Sequence, residues 1–263
     1  LINFEGIGNN LCKIAQRHPP KSGPRPPGIP VHMAPLELQR TLEHKIDEIS
    51  VDPETEVMQH MPYKNESAGN NRQILYVSGA SGSGKSYYTA AYLREFHKLF
   101  PKHKIYVISS VSKDKALDSI PGLKRIRLDE TFINTAFTIE DFRDSMVVYD
   151  DTEMISNKTI QQKITAIKDL ILTTGRHTGT FMIITSHLTC NREKTKLVLV
   201  ESHSVTLFLV SMGHNSLKYF LESAFGFSKA QIDRIKGLSS RWVTLFRTAP
   251  VTVMHENGMF TMR

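Results

Sequence analysis

The chain has 263 residues, 40% of them hydrophobic, which suits one large α/β domain with a real core, or such a domain carrying an appended arm. A formal net charge of +7 and a pI near 9.3 favour a polyanionic partner, either nucleic acid or a membrane surface. The two cysteines, Cys12 and Cys190, lie far apart without CxxC or Cys/His spacing, which argues against a disulfide framework or a zinc site. No apolar run approaches the ~18 residues of a membrane span, and the first residues show no secretory-signal pattern.

Residues 1–70 read as a Pro-rich arm followed by a helix, and residues 71–263 as the main domain. Seven of the twelve prolines fall between Pro19 and Pro35, interleaved with Lys21 and Arg25, a composition that favours extended polyproline-type chain. Leu38, Leu42, Ile46 and Ile49 then form a helical stripe, and residues 51–72 are polar and loop-like.

From residue 73 strands and helices alternate, the signature of a mostly parallel sheet covered by helices. The apolar run Gln73–Ser78 reads as a buried strand, and Tyr87–Phe100 as a helix that ends at Pro101. Further strands are expected at 104–109, 146–149, 181–185 and 205–210, with helices at 139–143, 159–172, 216–225 and 228–236. A hairpin is expected around Asn257-Gly258.

Between the first strand and its helix lies Gly79-Ala80-Ser81-Gly82-Ser83-Gly84-Lys85-Ser86, which satisfies G-x-x-x-x-G-K-[ST] at every fixed position. Glycines there let successive backbone N–H groups turn inward around phosphates, and the helix start adds positive partial charge. Lys85 is placed to reach the β- and γ-phosphates, Ser86 to ligate Mg²⁺, and Tyr87 to begin the helix beside them. The pattern implies a bound nucleoside triphosphate together with Mg²⁺.

The strand 146–149 runs into Asp150-Asp151. A carboxylate at such a strand end is what a Mg·nucleotide site requires. Asp150 is the metal candidate with Ser86, and Asp151 the general base, with Glu153 as the alternative. The strand 181–185 ends in Thr185-Ser186-His187, where Ser186 or His187 is placed to sense the γ-phosphate. Arg176, on the Gly-flanked loop Gly175–Gly179, is the candidate finger for a neighbouring subunit's nucleotide, with Arg192 as its rival. The richest basic patches are Lys98-Lys102-Lys104, Lys124-Arg125-Arg127 and Arg234-Lys236-Arg241, none of which the sequence assigns to DNA.

Together GASGSGKS, VVYDD and TTGRHTGTFMIITSH resemble the genome-packaging ATPases of large DNA viruses, the poxvirus-type branch of the FtsK–HerA superfamily. The resemblance covers roughly residues 73–250. It implies a RecA-like P-loop NTPase with a mostly parallel sheet of order 5-1-4-3-2 flanked by helices, and with a C-terminal β hairpin. It further implies a homo-oligomeric ring, hexameric or pentameric, that pumps double-stranded DNA into a capsid at the expense of ATP. In that pattern Lys85 and Ser86 bind Mg·ATP, Asp150 is the metal acid, Asp151 the base and Arg176 the finger acting in trans. A capsid or portal-region protein is then a partner, and the host cytoplasm or the virion the location. Many relatives carry glutamine where this chain has Ser186-His187, and cellular relatives often carry glutamate where Asp151 stands. The rival readings are a ring helicase or DNA-remodelling NTPase, a nucleoside or nucleotide kinase, and a nucleotide-gated assembly protein. No arginine-rich lid of the kinase kind is evident.

Overall fold

The computed structural model describes residues 12–16, 48–64, 71–187 and 192–262. The proline-rich segment and the stripe positions Leu38, Leu42 and Ile46 lie outside the described residues. Strand β1 (Cys12–Gln16) pairs antiparallel with β3 (Glu56–His60) in a two-stranded sheet. Between them in sequence, β2 (Glu48–Ser50) joins the edge of the main sheet against the C-terminal hairpin. Ile49 thus sits in a strand where the stripe predicts a helix, and β3 occupies part of the expected loop. The physical reason is non-local: these short segments gain their backbone partners from chain forty or more residues away or from the far C-terminus, which period counting cannot see.

The main sheet is built on β4 (Ile74–Ser78), which feeds helix α1 (Lys85–Leu99). There follow β5 (Lys104–Ser109), β6 (Leu123–Arg125), helix α2 (Glu130–Asn134), β7 (Ser145–Asp150) and helix α3 (Lys158–Thr174). Next come β8 (Phe181–Ser186), helix α4 (Arg192–Glu201) and β9 (Ser204–Leu207). The chain ends with helices α5 (His214–Phe225) and α6 (Lys229–Lys236), and strands β10 (Val243–Phe246), β11 (Thr252–His255) and β12 (Gly258–Thr261). Residues 139–142, expected as a helix, form a short 3₁₀ turn, and α4 has no counterpart in the sequence reading.

The ten strands lie in the order β2-β12-β11-β10-β9-β4-β8-β7-β5-β6. Its centre, β9-β4-β8-β7-β5, is parallel throughout and reproduces the expected 5-1-4-3-2 arrangement. On one side β6 extends it in parallel; on the other, β10, β11, β12 and β2 continue it antiparallel. Every residue of β4, β7 and β8 is buried, as expected for strands covered on both faces. Leu75, Val77, Val148 and Ile183 pack under Leu93 and Phe96 of α1, while Tyr76, Val147, Tyr149 and Ile184 pack under α3 and α5 on the opposite face.

Two polar anchors fix this frame. The buried guanidinium of Arg72, just before β4, donates to the carbonyls of Ile171 and Leu172 at the end of α3 and to Thr180 O before β8. It meets helix-end carbonyls with a cation, which the helix dipole also favours. On the other face, Tyr88 of α1 ties three strands together. Its hydroxyl lies 2.9 Å from His60 Nδ1 and 2.7 Å from Thr244 Oγ1, and it accepts from Thr206 Oγ1 at 2.9 Å.

Burial lowers the pKa of His60 from 6.5 to about 3. The unfolded chain therefore takes up a proton near pH 6.5 that the folded one refuses until about pH 3. The stability of the neutral form is fully present above pH 6.5 and is lost as pH falls through that window. Denaturant melts below pH 6.5 are expected to show a His60 contribution of up to about 1.4 kcal/mol per pH unit. His60→Gln is expected to flatten that part of the slope; an unchanged slope contradicts the assignment.

Candidate active site

The loop between β4 and α1 closes on itself through Ser83 N donating to Ala80 O at 3.2 Å. Gly84, directly before the helix, has φ 108°, a conformation that a side chain would strain. At Gly79 the constraint is space, since a Cβ would lie 2.8 Å from Cβ of Phe208. The loop is held from outside by Gly79 N donating to Ser186 O at 3.1 Å and Ala80 N donating to Ser211 Oγ at 3.1 Å. The result is a glycine-lined turn ending at the N-terminus of a 15-residue helix, a ready anion site.

Lys85 opens that helix and is only 6% exposed. Its ammonium donates to Gly79 O at 2.8 Å and lies 3.6 Å from Asp151 Oδ2 and 3.4 Å from His187 Nδ1. His187 Nε2 in turn lies 3.0 Å from the same Asp151 oxygen, so Lys85, Asp151 and His187 form one cluster. Burial pushes the Asp151 carboxyl above its ordinary value, while the Lys85 and His187 charges pull the other way. Asp151 holds a left-handed backbone, φ 46°, ψ 39°, which an aspartate tolerates better than most residues.

Asp150, at the last position of β7, is buried with both carboxylate oxygens engaged. Ser109 Oγ donates to Oδ2 at 2.9 Å, and Thr185 Oγ1 lies 3.0 Å from Oδ1. Sheet register explains this, because Ser109 of β5, Asp150 of β7 and Thr185 of β8 are successive cross-strand partners. Neighbours in register point to one face, here the α1 face. Thr185 also accepts from Asp151 N at 3.1 Å.

A crevice of about 330 Å³ gathers these parts. Ser81, Gly82, Gly84, Lys85, Ser86 and Tyr87 line one side, Asp150, Asp151 and His187 another, with the segment Val111–Ala116 bordering it. Its donors suit a metal nucleotide. The Asp150 carboxylate and the Ser86 hydroxyl are the hard oxygens that Mg²⁺ takes when phosphates and waters complete its shell.

Other residues singled out in the sequence lie elsewhere. Glu153 and Ser186 face a second cleft, of about 600 Å³, beneath α3 and α4. There Ser186 Oγ donates to Glu153 Oε1 at 2.6 Å, and the same oxygen accepts from His187 N at 2.8 Å. Arg176 is exposed on the turn before β8. It sits at the opposite end of the parallel strands from the crevice, about 20 Å away at ~3.3 Å per strand residue. It therefore does not reach the crevice of its own chain. Arg192 begins α4, and its side chain lies outside the described residues. Of the basic patches, Arg125, Arg234 and Arg241 are paired with Asp118, Glu48 and Glu256. The sequence reading names Thr185 at its strand end but favours Ser186 or His187 there, and it assigns no role to Ser109. Their only signal is the position of each at a strand's C-terminal end, which acquires meaning once the strands are set side by side.

No protein-family model matches the chain. Among solved structures, it is similar to the genome packaging NTPase B204 of Sulfolobus turreted icosahedral virus 2 in complex with AMPPCP. Identity is 14%, coverage is 71% of this chain and 97% of B204, and the TM-score is 0.47. The cytoplasmic domain of the type VII secretion ATPase EccC from Thermomonospora curvata gives 13% identity over 72% of this chain and 25% of that one, with a TM-score of 0.48. In sequence, the chain is 36% identical over 204 residues to the uncharacterized protein V3 of the Sputnik virophage, covering 77% of this chain and 81% of V3. With its phosphate loop set on a 5-1-4-3-2 parallel sheet, the chain has a P-loop NTPase architecture and belongs to the same family as virophage V3.

Proposed function

We propose that the chain is an ATP-driven translocase that packages a viral double-stranded DNA genome into its capsid. The observation that carries the reading is the single crevice in which a complete phosphate loop faces paired acids across an intervening strand. The motif resemblance to viral packaging ATPases of the FtsK–HerA type, and a relative encoded by a virophage, support the viral setting. The basic charge of the chain fits a DNA partner. Host cytoplasm or virion is the corresponding location, and a capsid or portal-region protein the corresponding partner.

In this reading Mg·ATP lies along the loop. The backbone N–H groups of Gly79–Ser86 and the Lys85 ammonium take the phosphates, while Ser86 and Asp150 hold the metal. A metal bound there would supply charge neutralisation on the phosphates. Asp151, at the crevice and beside Lys85 and His187, takes a proton from the attacking water, while Glu153 is turned to the other face of the sheet and engaged by Ser186. His187 borders the crevice and is the better placed of the two sensor candidates. Arg176, remote from its own crevice, acts on the nucleotide of the next subunit in a homo-oligomeric ring. A head-to-tail contact of this kind closes into a ring when the rotation permits.

Hydrolysis of ATP by the purified chain is expected to rise with duplex DNA; nucleoside-dependent ADP release without such stimulation favours a kinase instead. Lys85→Ala is expected to abolish nucleotide binding or hydrolysis, read by a fluorescent ATP analogue and by phosphate release.

Asp151→Asn is expected to keep nucleotide binding and lose turnover, and wild-type rates in that variant transfer the base role to Glu153. The base must be ionised to accept a proton. Because burial raises the Asp151 pKa, wild-type turnover is expected to fall on acidification with an apparent pKa above that of an ordinary aspartate, about 3.9. A rate flat down to pH 4 contradicts this.

Neither Arg176→Ala nor Asp151→Asn subunits alone are expected to hydrolyse ATP, whereas mixing them is expected to restore partial activity. No recovery at any ratio rules out a finger acting in trans.

A further inference from the structure

We propose that Thr185 is a positioning residue that links loading of the metal acid to orientation of the base. The inference rests on the reading of Asp150 as metal ligand and Asp151 as base. Its starting point is a hydroxyl with more acceptors than protons. Thr185 Oγ1 lies 3.0 Å from Asp150 Oδ1 and 3.3 Å from Asp151 Oδ1, and it already accepts from Asp151 N at 3.1 Å. A threonine hydroxyl has one proton to donate. The residue is 1% exposed, so solvent does not supply a second donor freely. The proton therefore serves one carboxylate at a time, and in the structure the shorter contact is to Asp150.

Asp150 has a second donor, Ser109 Oγ on its other oxygen at 2.9 Å, so it does not depend on Thr185 alone. When a divalent cation draws on the Asp150 lone pairs, Oδ1 becomes the poorer acceptor. The Thr185 proton then turns to Asp151 Oδ1, while the N–H of Asp151 stays on the same hydroxyl oxygen. Backbone N–H and side chain of the base are then held by one group, at a left-handed residue whose carbonyl accepts from Met154 N at 3.2 Å. The shift moves a hydrogen bond and breaks no covalent bond. Lys85 and His187 already meet Oδ2 of the base, so the effect is to fix its other oxygen, Oδ1, only in the metal-loaded site.

The test uses Thr185→Val, which removes the hydroxyl at nearly constant volume, and Thr185→Ser, which keeps it. Three quantities are read: affinity for a fluorescent ATP analogue in EDTA, the same affinity with Mg²⁺, and steady-state turnover. Thr185→Val is expected to bind the analogue within about threefold of wild type under both conditions and to lose kcat by about 100-fold, the scale of a misplaced catalytic group. Thr185→Ser is expected to recover most of that loss. Full turnover in the valine variant overturns the proposal. So does loss of the Mg²⁺-dependent tightening in that variant, which assigns Thr185 to Asp150 alone, and so does a serine variant as slow as valine, which makes the methyl packing decisive. A wild-type chain that binds the analogue but shows no turnover overturns the hydrolytic reading itself, and this proposal with it. A normal wild type beside an unimpaired valine variant overturns only the link through Thr185.

Discussion

A buried ammonium sets the terms on which the C-terminal edge of the sheet is assembled. Lys85 is almost wholly removed from solvent, and a charge in that position is costly unless other groups meet it. They come from three separate parts of the chain: the Gly79 carbonyl of its own loop, the Asp151 carboxylate after β7, and His187 after β8. That convergence requires β8 to lie between β4 and β7, as the observed strand order provides. Parallel strands deliver all their C-terminal ends to one edge, so the loop, the acids and the strand-end hydroxyls meet without any long excursion of the chain.

The pleat then sorts the polar residues by face. Ser109, Asp150 and Thr185 project to the α1 side, where the phosphate loop lies, and they bind one another in register. Ser186, the next residue on β8, projects to the opposite side and donates to Glu153. Two acids only two positions apart, Asp151 and Glu153, are thereby given different surroundings. One borders the crevice beside a cation, and the other lies under α3 and α4, where the backbone N–H of His187 and a serine hydroxyl share one of its oxygens. Because His187 touches Glu153 through its backbone and Asp151 through its ring, it is the physical junction between the faces.

Away from the crevice, the frame is held where short elements gain little from local preference. Arg72 joins the start of β4, the end of α3 and the approach to β8 in a single buried fan of hydrogen bonds. Tyr88, three residues beyond Lys85, connects α1 to β3, β9 and β10 through His60, Thr206 and Thr244. The antiparallel flank β10–β11–β12–β2 is therefore tied to the same helix that presents the phosphate loop.

The sequence by itself determined the loop, because a phosphate cradle is a local backbone requirement written in consecutive residues, and Gly79–Ser86 meets it without help from the rest of the chain. It also determined the α/β class and the five central strands, since each is a continuous apolar run long enough to read alone. Only the tertiary structure decided what stands opposite the loop. Nothing in the order of residues says that Thr185 lies between Asp150 and Asp151, that Ser109 holds the other oxygen, or that Glu153 turns away. Those relations depend on register between strands that are dozens of residues apart, and on which way each pleat points. The same reason hid β2 and β3, short polar segments that become strands only because a distant partner supplies their backbone hydrogen bonds.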